Sequence, residues 1–248
     1  MDLSAVPGIA VIVVGWYVII PWRVRQALQP QAAWDMEPFD PSRHGTSAQA
    51  AAFLSTNVDP LIARGFRQVG DLVHRGPRST TRVVLLTHPD DDLVATVVVV
   101  TGDRGSSATM VEFSAELVTG TVFDVNNSGL SSFPRTPDHV TYRFPSVRDP
   151  ERLYRIAQAL LRRDFGSAAI RPRDINDPAA FLKEATDREY RRQVRTGYFR
   201  IDERTGRYST TLKGAYLMAW KLMFPFKAIR AALQSRKARA VLRDLGGL

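Results

Sequence analysis

From Leu3 to Trp22 the chain runs for twenty residues without a charged side chain, LSAVPGIAVIVVGWYVIIPW, and Ser4 is the only small hydroxyl in it. A helix rises about 1.5 Å per residue, so a run of this length reaches about 30 Å, the hydrocarbon thickness of a bilayer. Ten of these residues are Val, Ile or Leu, each favouring insertion by about 0.3–0.6 kcal/mol. Trp16, Tyr17 and Trp22 gather toward the C-terminal end, where amphipathic rings prefer the headgroup layer. Arg23 and Arg25 follow at once, and Asp2 is the only charged side chain before the run. The positive-inside rule then places the N-terminus outside and residues 23–248 in the cytoplasm. A cleaved signal peptide needs a basic start and a small-residue cleavage site. Met1-Asp2-Leu3-Ser4 has no base, and the Ala32-Ala33 pair lies beyond the arginines. A buried core helix or strand is the remaining alternative. The expectation is a single-pass membrane protein.

The rest of the chain is long enough for one ordinary domain with an appendage, or for two small domains. It contains no cysteine, which excludes disulfides, thiolate metal sites and cysteine nucleophiles and fits a reducing compartment. From Lys213 onward eight basic residues (Lys213, Lys221, Lys227, Arg230, Arg236, Lys237, Arg239 and Arg243) face Asp244 alone. Nearly all of the +9 net charge therefore sits at that end, and the body is close to balanced.

Residues 26–45 carry three prolines and no apolar period, and read as a linker in which Trp34, Met36 and Phe39 can pack on the body. Thr46 or Ser47 caps a helix that ends around Asn57 and Asp59-Pro60. After Gly65 the period becomes two. Strands are expected at Phe66–His74, Arg82–His88, Leu93–Thr101, Ala108–Val118, Thr121–Val125 and Val140–Phe144, with turn residues between them. Leu93–Val100 is almost wholly apolar, as a central strand buried on both faces would be. Short links indicate an antiparallel meander. Asp149-Pro150-Glu151 opens a helix whose apolar face is Leu153, Ile156, Ala157, Leu160 and Leu161, and Gly166 closes it.

Pro172–Pro178 reads as a second linker. A helix from Asp177-Pro178 to Gly197 follows, then a hairpin of Tyr198–Asp202 and Arg207–Leu212, then one long helix over Lys213–Leu245 kinked at Pro225. The fold class is α+β: an N-terminal transmembrane helix, a meander body with flanking helices, a helix–hairpin unit, and a basic amphipathic C-terminal helix. The segments are 1–25, 26–45, 46–166, 167–212 and 213–248.

The C-terminal segment combines large apolar rings with Lys and Arg on another face, the pattern of a helix lying in a membrane interface. Its expected partner is the bilayer, through anionic headgroups. The membrane-interface residues are Trp16, Tyr17, Trp22, Arg23 and Arg25 at the anchor, and Lys213, Trp220, Lys221, Phe224, Lys227, Arg230, Arg236, Lys237 and Arg239 at the far end. The alternative is that Tyr216, Leu217, Trp220 and Phe224 pack on the body.

The helix bearing Arg188, Arg191, Arg192 and Arg195 precedes a hairpin ending in Tyr208, Thr211 and Gly214. This unit resembles the last helix and wing of winged-helix DNA-binding domains, over about 35 residues. The resemblance implies DNA binding by a membrane-tethered regulator. The helix-turn-helix pair that should precede it is absent, because 167–177 is too short and broken by proline, so a small docking subdomain is the plainer reading and nucleic acid is not the expected partner. Asp90, Asp91, Asp92 and Asp103 can hold Mg²⁺ or Ca²⁺ only if they converge, and turns favour Asp for reasons of their own. His44, His74, His88 and His139 lack metal-ligand spacing. No nucleophile elbow or phosphate loop is present. No catalytic, cofactor or metal residue is assigned. The expectation is a non-enzymatic binding or scaffold module at the membrane, with an enzyme acting from a pocket between sheet and helices as its rival.

Overall fold

The computed structural model describes residues 35–76, 79–103, 107–129, 134–166, 170–173, 175–223 and 225–247, together with Gly15, Ile19, Ile20, Trp22, Arg23 and Arg25. The expected span at Leu3–Trp22 lies almost wholly outside these residues. Among the described residues no helix is long and apolar enough to cross a membrane.

The chain is α+β. Seven strands lie in sequence order across one sheet: β1 (Glu37–Pro38), β2 (Arg67–Arg75), β3 (Ser79–His88), β4 (Asp91–Gly102), β5 (Ser107–Glu116), β6 (Val122–Asn126) and β7 (His139–Arg143). Five helices are described: α1 (Ala48–Ala63), α2 (Pro150–Phe165), α3 (Pro178–Arg195), α4 (Leu212–Leu222) and α5 (Phe226–Asp244). Two compact units result. The larger comprises Trp34–Ser131, Arg135–Ala185 and Ala231–Leu248, and the smaller comprises Met1–Ala33, Ser132–Pro134 and Thr186–Arg230.

In the larger unit, the period of two sends Leu93, Ala95, Val97 and Val99 of β4 to one face, where they join Val111, Phe113 and Ala115 of β5 and Phe123 and Val125 of β6. Leu54, Val58 and Leu61 of α1 and Leu153, Ile156, Ala157 and Leu160 of α2 cover that face. Burying a side chain of this size contributes about 1.5–3 kcal/mol. The other face of β2–β4, with Leu72, Val83, Leu85, Val94 and Val98, packs against Met36 and Leu182, with Ile175 and Phe181 at its margin. The central strand is thus buried on both sides, as its apolar run requires. Asp149 accepts from Glu151 N–H to cap α2, and Gly166 closes it.

Four expectations need correction. The meander is antiparallel only through β6, because β7 pairs with β6 in parallel. The stretch from Asn127 to Asp138 is about the dozen residues a parallel return needs, whereas the links between successive strands from β2 to β6 are only a few residues long. Helix α1 does not stop before Pro60 but runs on to Ala63. The proline forfeits one backbone bond, and the extra turn buries Leu61 completely. The 26–45 segment is only partly a linker: Glu37-Pro38 adds a short strand to β2. Arg82 fixes that segment, pairing with Asp71 at 2.6 Å and lying 3.4 Å over the Phe39 ring. Finally, 213–245 forms two helices rather than one kinked helix. At the break Met223 is extended, as a residue two before a proline ring can be, and Arg230 Nη1 donates to the Lys221 carbonyl at 3.3 Å.

The smaller unit packs Tyr190, Tyr198, Phe199, Tyr208 and Met218 around the hairpin β8 (Phe199–Asp202) and β9 (Arg207–Thr210). An isolated two-stranded hairpin is marginal in water; here the Tyr190 and Tyr208 rings stack at 5.0 Å. A Cβ at Gly214 would stand 2.1 Å from the Tyr198 carbonyl oxygen, so only glycine lets α4 approach this closely.

Candidate functional site

Across the sheet the second face changes character. Val94 and Thr96 of β4 lie beside Ser114 and Glu112 of β5, which lie beside Asp124 and Asn126 of β6. From β5 to β7 this face carries Glu112, Ser114, Glu116, Asp124, Asn126, His139, Thr141 and Arg143, while their alternates face the core. Glu116, Asp124 and Asn126 are buried. Buried charge is tolerated only when paired, and here it is paired. Arg171 Nη1 donates to Glu116 Oε1 at 2.8 Å, and Arg173 stands 3.5 Å from Glu116 Oε2. Asn126 Nδ2 donates to Glu112 Oε2 at 2.9 Å. His139 Nε2 meets Asp124 Oδ2 in a short contact. Burial, and then the negative charge of Asp124, push the Glu112 carboxyl up to about 8.

His139 also lines a pocket of about 500 Å³ beside the β7 edge. Its polar lining is Arg135, Thr136, His139, Thr141, Arg143, Gln234 and Lys237, and its apolar wall includes Val140, Phe144, Ala238 and Val241. Among the described residues no carboxylate lines it. Gln234 Nε2 donates to the Arg143 carbonyl at 2.9 Å, holding the later part of α5 against β7. In parallel pairing, alternate residues point their backbone groups at the neighbouring strand. Val122 N–H bonds the Asp138 carbonyl and Phe144 N–H bonds that of Asn126, so the backbone of His139, Thr141 and Arg143 turns outward, away from β6. The arrangement can hold an anion with an apolar part. The Asp124 carboxylate holds the His139 ring beside this pocket.

The sequence-derived candidates fall elsewhere. Asp91 is structural: its Oδ1 caps Leu93 N–H at 3.0 Å, and its Oδ2 accepts from Tyr154 at 2.6 Å and Gln158 at 2.8 Å. Asp90, Asp92 and Asp103 are exposed, and among the described residues no His, Asp and Glu gather as a metal site would need. His44 accepts from Asp40 N–H and lies 3.1 Å from Glu37; His88 packs on Phe66 and Tyr154; His74 donates to the Asp35 carbonyl.

Trp16, Tyr17 and Phe224 lie outside the described residues. Trp22, Arg23, Arg25, Lys213, Lys227, Arg236, Lys237 and Arg239 are exposed, and Arg230 is partly buried. Trp220 stacks on Phe226 at 3.9 Å. Lys221 Nζ donates to Tyr198 Oη at 2.6 Å. In α5, Ile229 and Leu233 stay about half exposed, but Ala238, Val241, Leu242 and Leu245 pack into the sheet core. The apolar residues of the last turns are therefore held by protein.

The winged-helix-like residues also have local employment. Tyr208 donates to Asp187 at 2.5 Å, Thr211 caps α4 through Gly214 N–H, and Arg192 is buried against Glu189 at 3.2 Å. Arg191 pairs with Asp187 at 2.6 Å.

Glu112, Asp124, Arg135 and Arg143 were not singled out from sequence. The available signal was Glu112 and Glu116 alternating with Val111, Phe113 and Ala115; what it lacked was the parallel return that brings His139 beside this face. No protein-family model, curated protein or solved structure matches the chain.

Proposed function

We propose that this chain is a membrane-anchored binding module whose β7–α5 pocket takes an anionic ligand with an apolar part. The Leu3–Trp22 run serves as the anchor and the body faces the cytoplasm. The basic residues from Lys213 onward add attraction to anionic headgroups, on the order of 1 kcal/mol each when close to the surface. The observation that carries the binding role is the pocket lining: Arg135, His139, Arg143 and Lys237 with no carboxylate among them. The apolar wall supplies the desolvation that makes such charges effective.

Calorimetric titration of the full chain in neutral nanodiscs with phenyl phosphate is the test. Binding is expected, with benzyl alcohol binding far more weakly. Charge-assisted contacts are worth about 1.5–3 kcal/mol, so Arg135→Glu with Lys237→Glu should weaken phenyl phosphate at least tenfold. Equal affinity for the uncharged probe would sink the reading.

A second reading, an enzyme working in the same pocket, is favoured by one observation: the buried Asp124 against His139, with Glu112 holding its proton nearby. Binding of phenyl phosphate without release of phenol separates the two.

A further inference from the structure

Lys221 is unlike the other lysines of this chain. There are five, and Lys183, Lys213, Lys227 and Lys237 are exposed while Lys221 is half-buried. The end of α4 presses its stem beside Tyr198, a buried residue at the start of the hairpin. Lys221 Nζ donates to Tyr198 Oη at 2.6 Å and stands 4.8 Å from the centre of that ring. Arg230, at the start of α5, donates to the Lys221 carbonyl at 3.3 Å and keeps a second cation close by. The contact with Tyr198 Oη fixes where the nitrogen sits.

We infer that Lys221 is a site of covalent acylation by an acyl phosphate, its amine positioned by Tyr198 and lying near Arg230. In that step the nitrogen lone pair attacks the acyl carbon. An N–C bond forms, the C–O bond to phosphate breaks, and phosphate leaves with the electron pair. The proton lost from nitrogen goes to the departing phosphate, and nothing is oxidised or reduced. The phosphate carries negative charge that Arg230 attracts, which favours an acyl phosphate over an uncharged donor. The product amide has no charge, so acylation removes the positive charge that Lys221 carries when protonated.

The ionisation of Lys221 supports this geometry. Burial first, and then Arg230, bring its amine down to about 8, while an ordinary lysine stays near 10.4. Only the neutral amine is nucleophilic. At pH 8 that makes Lys221 react about tenfold or more faster than an exposed lysine, after allowance for its weaker intrinsic nucleophilicity.

The full chain in neutral nanodiscs is incubated with acetyl phosphate at pH 8, and acetylation of each lysine is followed by peptide mass spectrometry. Lys183, Lys213 and Lys227, exposed and outside the anion pocket, are the internal standard. Lys221 is expected to acetylate at least tenfold faster than their mean. Arg230→Gln should slow Lys221 at least twofold and leave Lys183, Lys213 and Lys227 unchanged. A Lys221 rate at or below that of the exposed lysines overturns the proposal. An unslowed Lys221 in R230Q overturns the part given to Arg230.

Discussion

Glu112 stands among apolar alternates on β5, and its environment decides its charge. Burial and the Asp124 carboxylate together raise its ionisation to about 8, from an ordinary value near 4.3 in an unfolded chain. Between these values the folded state holds a proton that the unfolded state has lost. Folding stability therefore falls as pH rises through that window and levels off above it. Glu112→Gln keeps the neutral shape and removes the titration. In thermal unfolding from pH 5 to pH 9 the variant should gain on the wild type by several degrees as pH rises, the two being close at pH 5. Parallel curves across the range would show that the carboxyl is not held neutral. The glutamate was visible in the sequence, but its neighbour was not: Asp124 and His139 lie on separate strands, and their contact depends on which way β7 runs.

At the scale of elements, α1 and β7 show where local signals lose. Asp59-Pro60 is a sound helix stop by backbone chemistry, since proline lacks the N–H and disfavours helix in the residue before it. Continuation buries Leu61 and lets Arg64 N–H reach the Pro60 and Leu61 carbonyls, and that tertiary gain outweighs the lost bond. Pro60→Ala should then stabilise the fold by about 1–2 kcal/mol, because alanine restores a helix bond while the unfolded chain gains some freedom. Urea unfolding followed by circular dichroism measures it; a loss of stability would mean that the proline ring itself packs irreplaceably. For β7, the strand was legible in Val140, Tyr142 and Phe144, all inward. Its direction was not, because direction depends on the length of the path between Asn126 and His139 rather than on any residue of the strand.

At the scale of the whole molecule, the membrane assignment rests on Leu3–Trp22 and the arginines after it. A cysteine introduced at exposed Asp92, in a chain that otherwise has none, reports on which side the body lies. It should resist membrane-impermeant maleimide in intact cells and react once the membrane is opened. Full-length chain should also stay with membranes through a high-salt wash, whereas a chain lacking residues 1–25 should be released, since screening weakens headgroup attraction. Release of the full-length chain would leave the apolar run without its assigned role. The end of α5 serves the protein interior: Ala238, Val241 and Leu242 pack in the sheet core, while Ile229 and Leu233 stay about half exposed.

Hydrophobic periodicity and turn chemistry determined most of the strands, the capped helix at Asp149 and the α+β class, because these follow from which side chains must leave water over a few neighbouring residues. The charge-free opening run and the basic closing segment were equally plain, being properties of composition alone. Only the tertiary structure decided the parallel return of β7, the passage of α1 through Pro60, the break before α5, and the meeting of Glu112, Asp124 and His139 beside a basic pocket. Each of those depends on groups far apart in sequence, where the energy of the contact is set by burial and by the partner supplied from another strand.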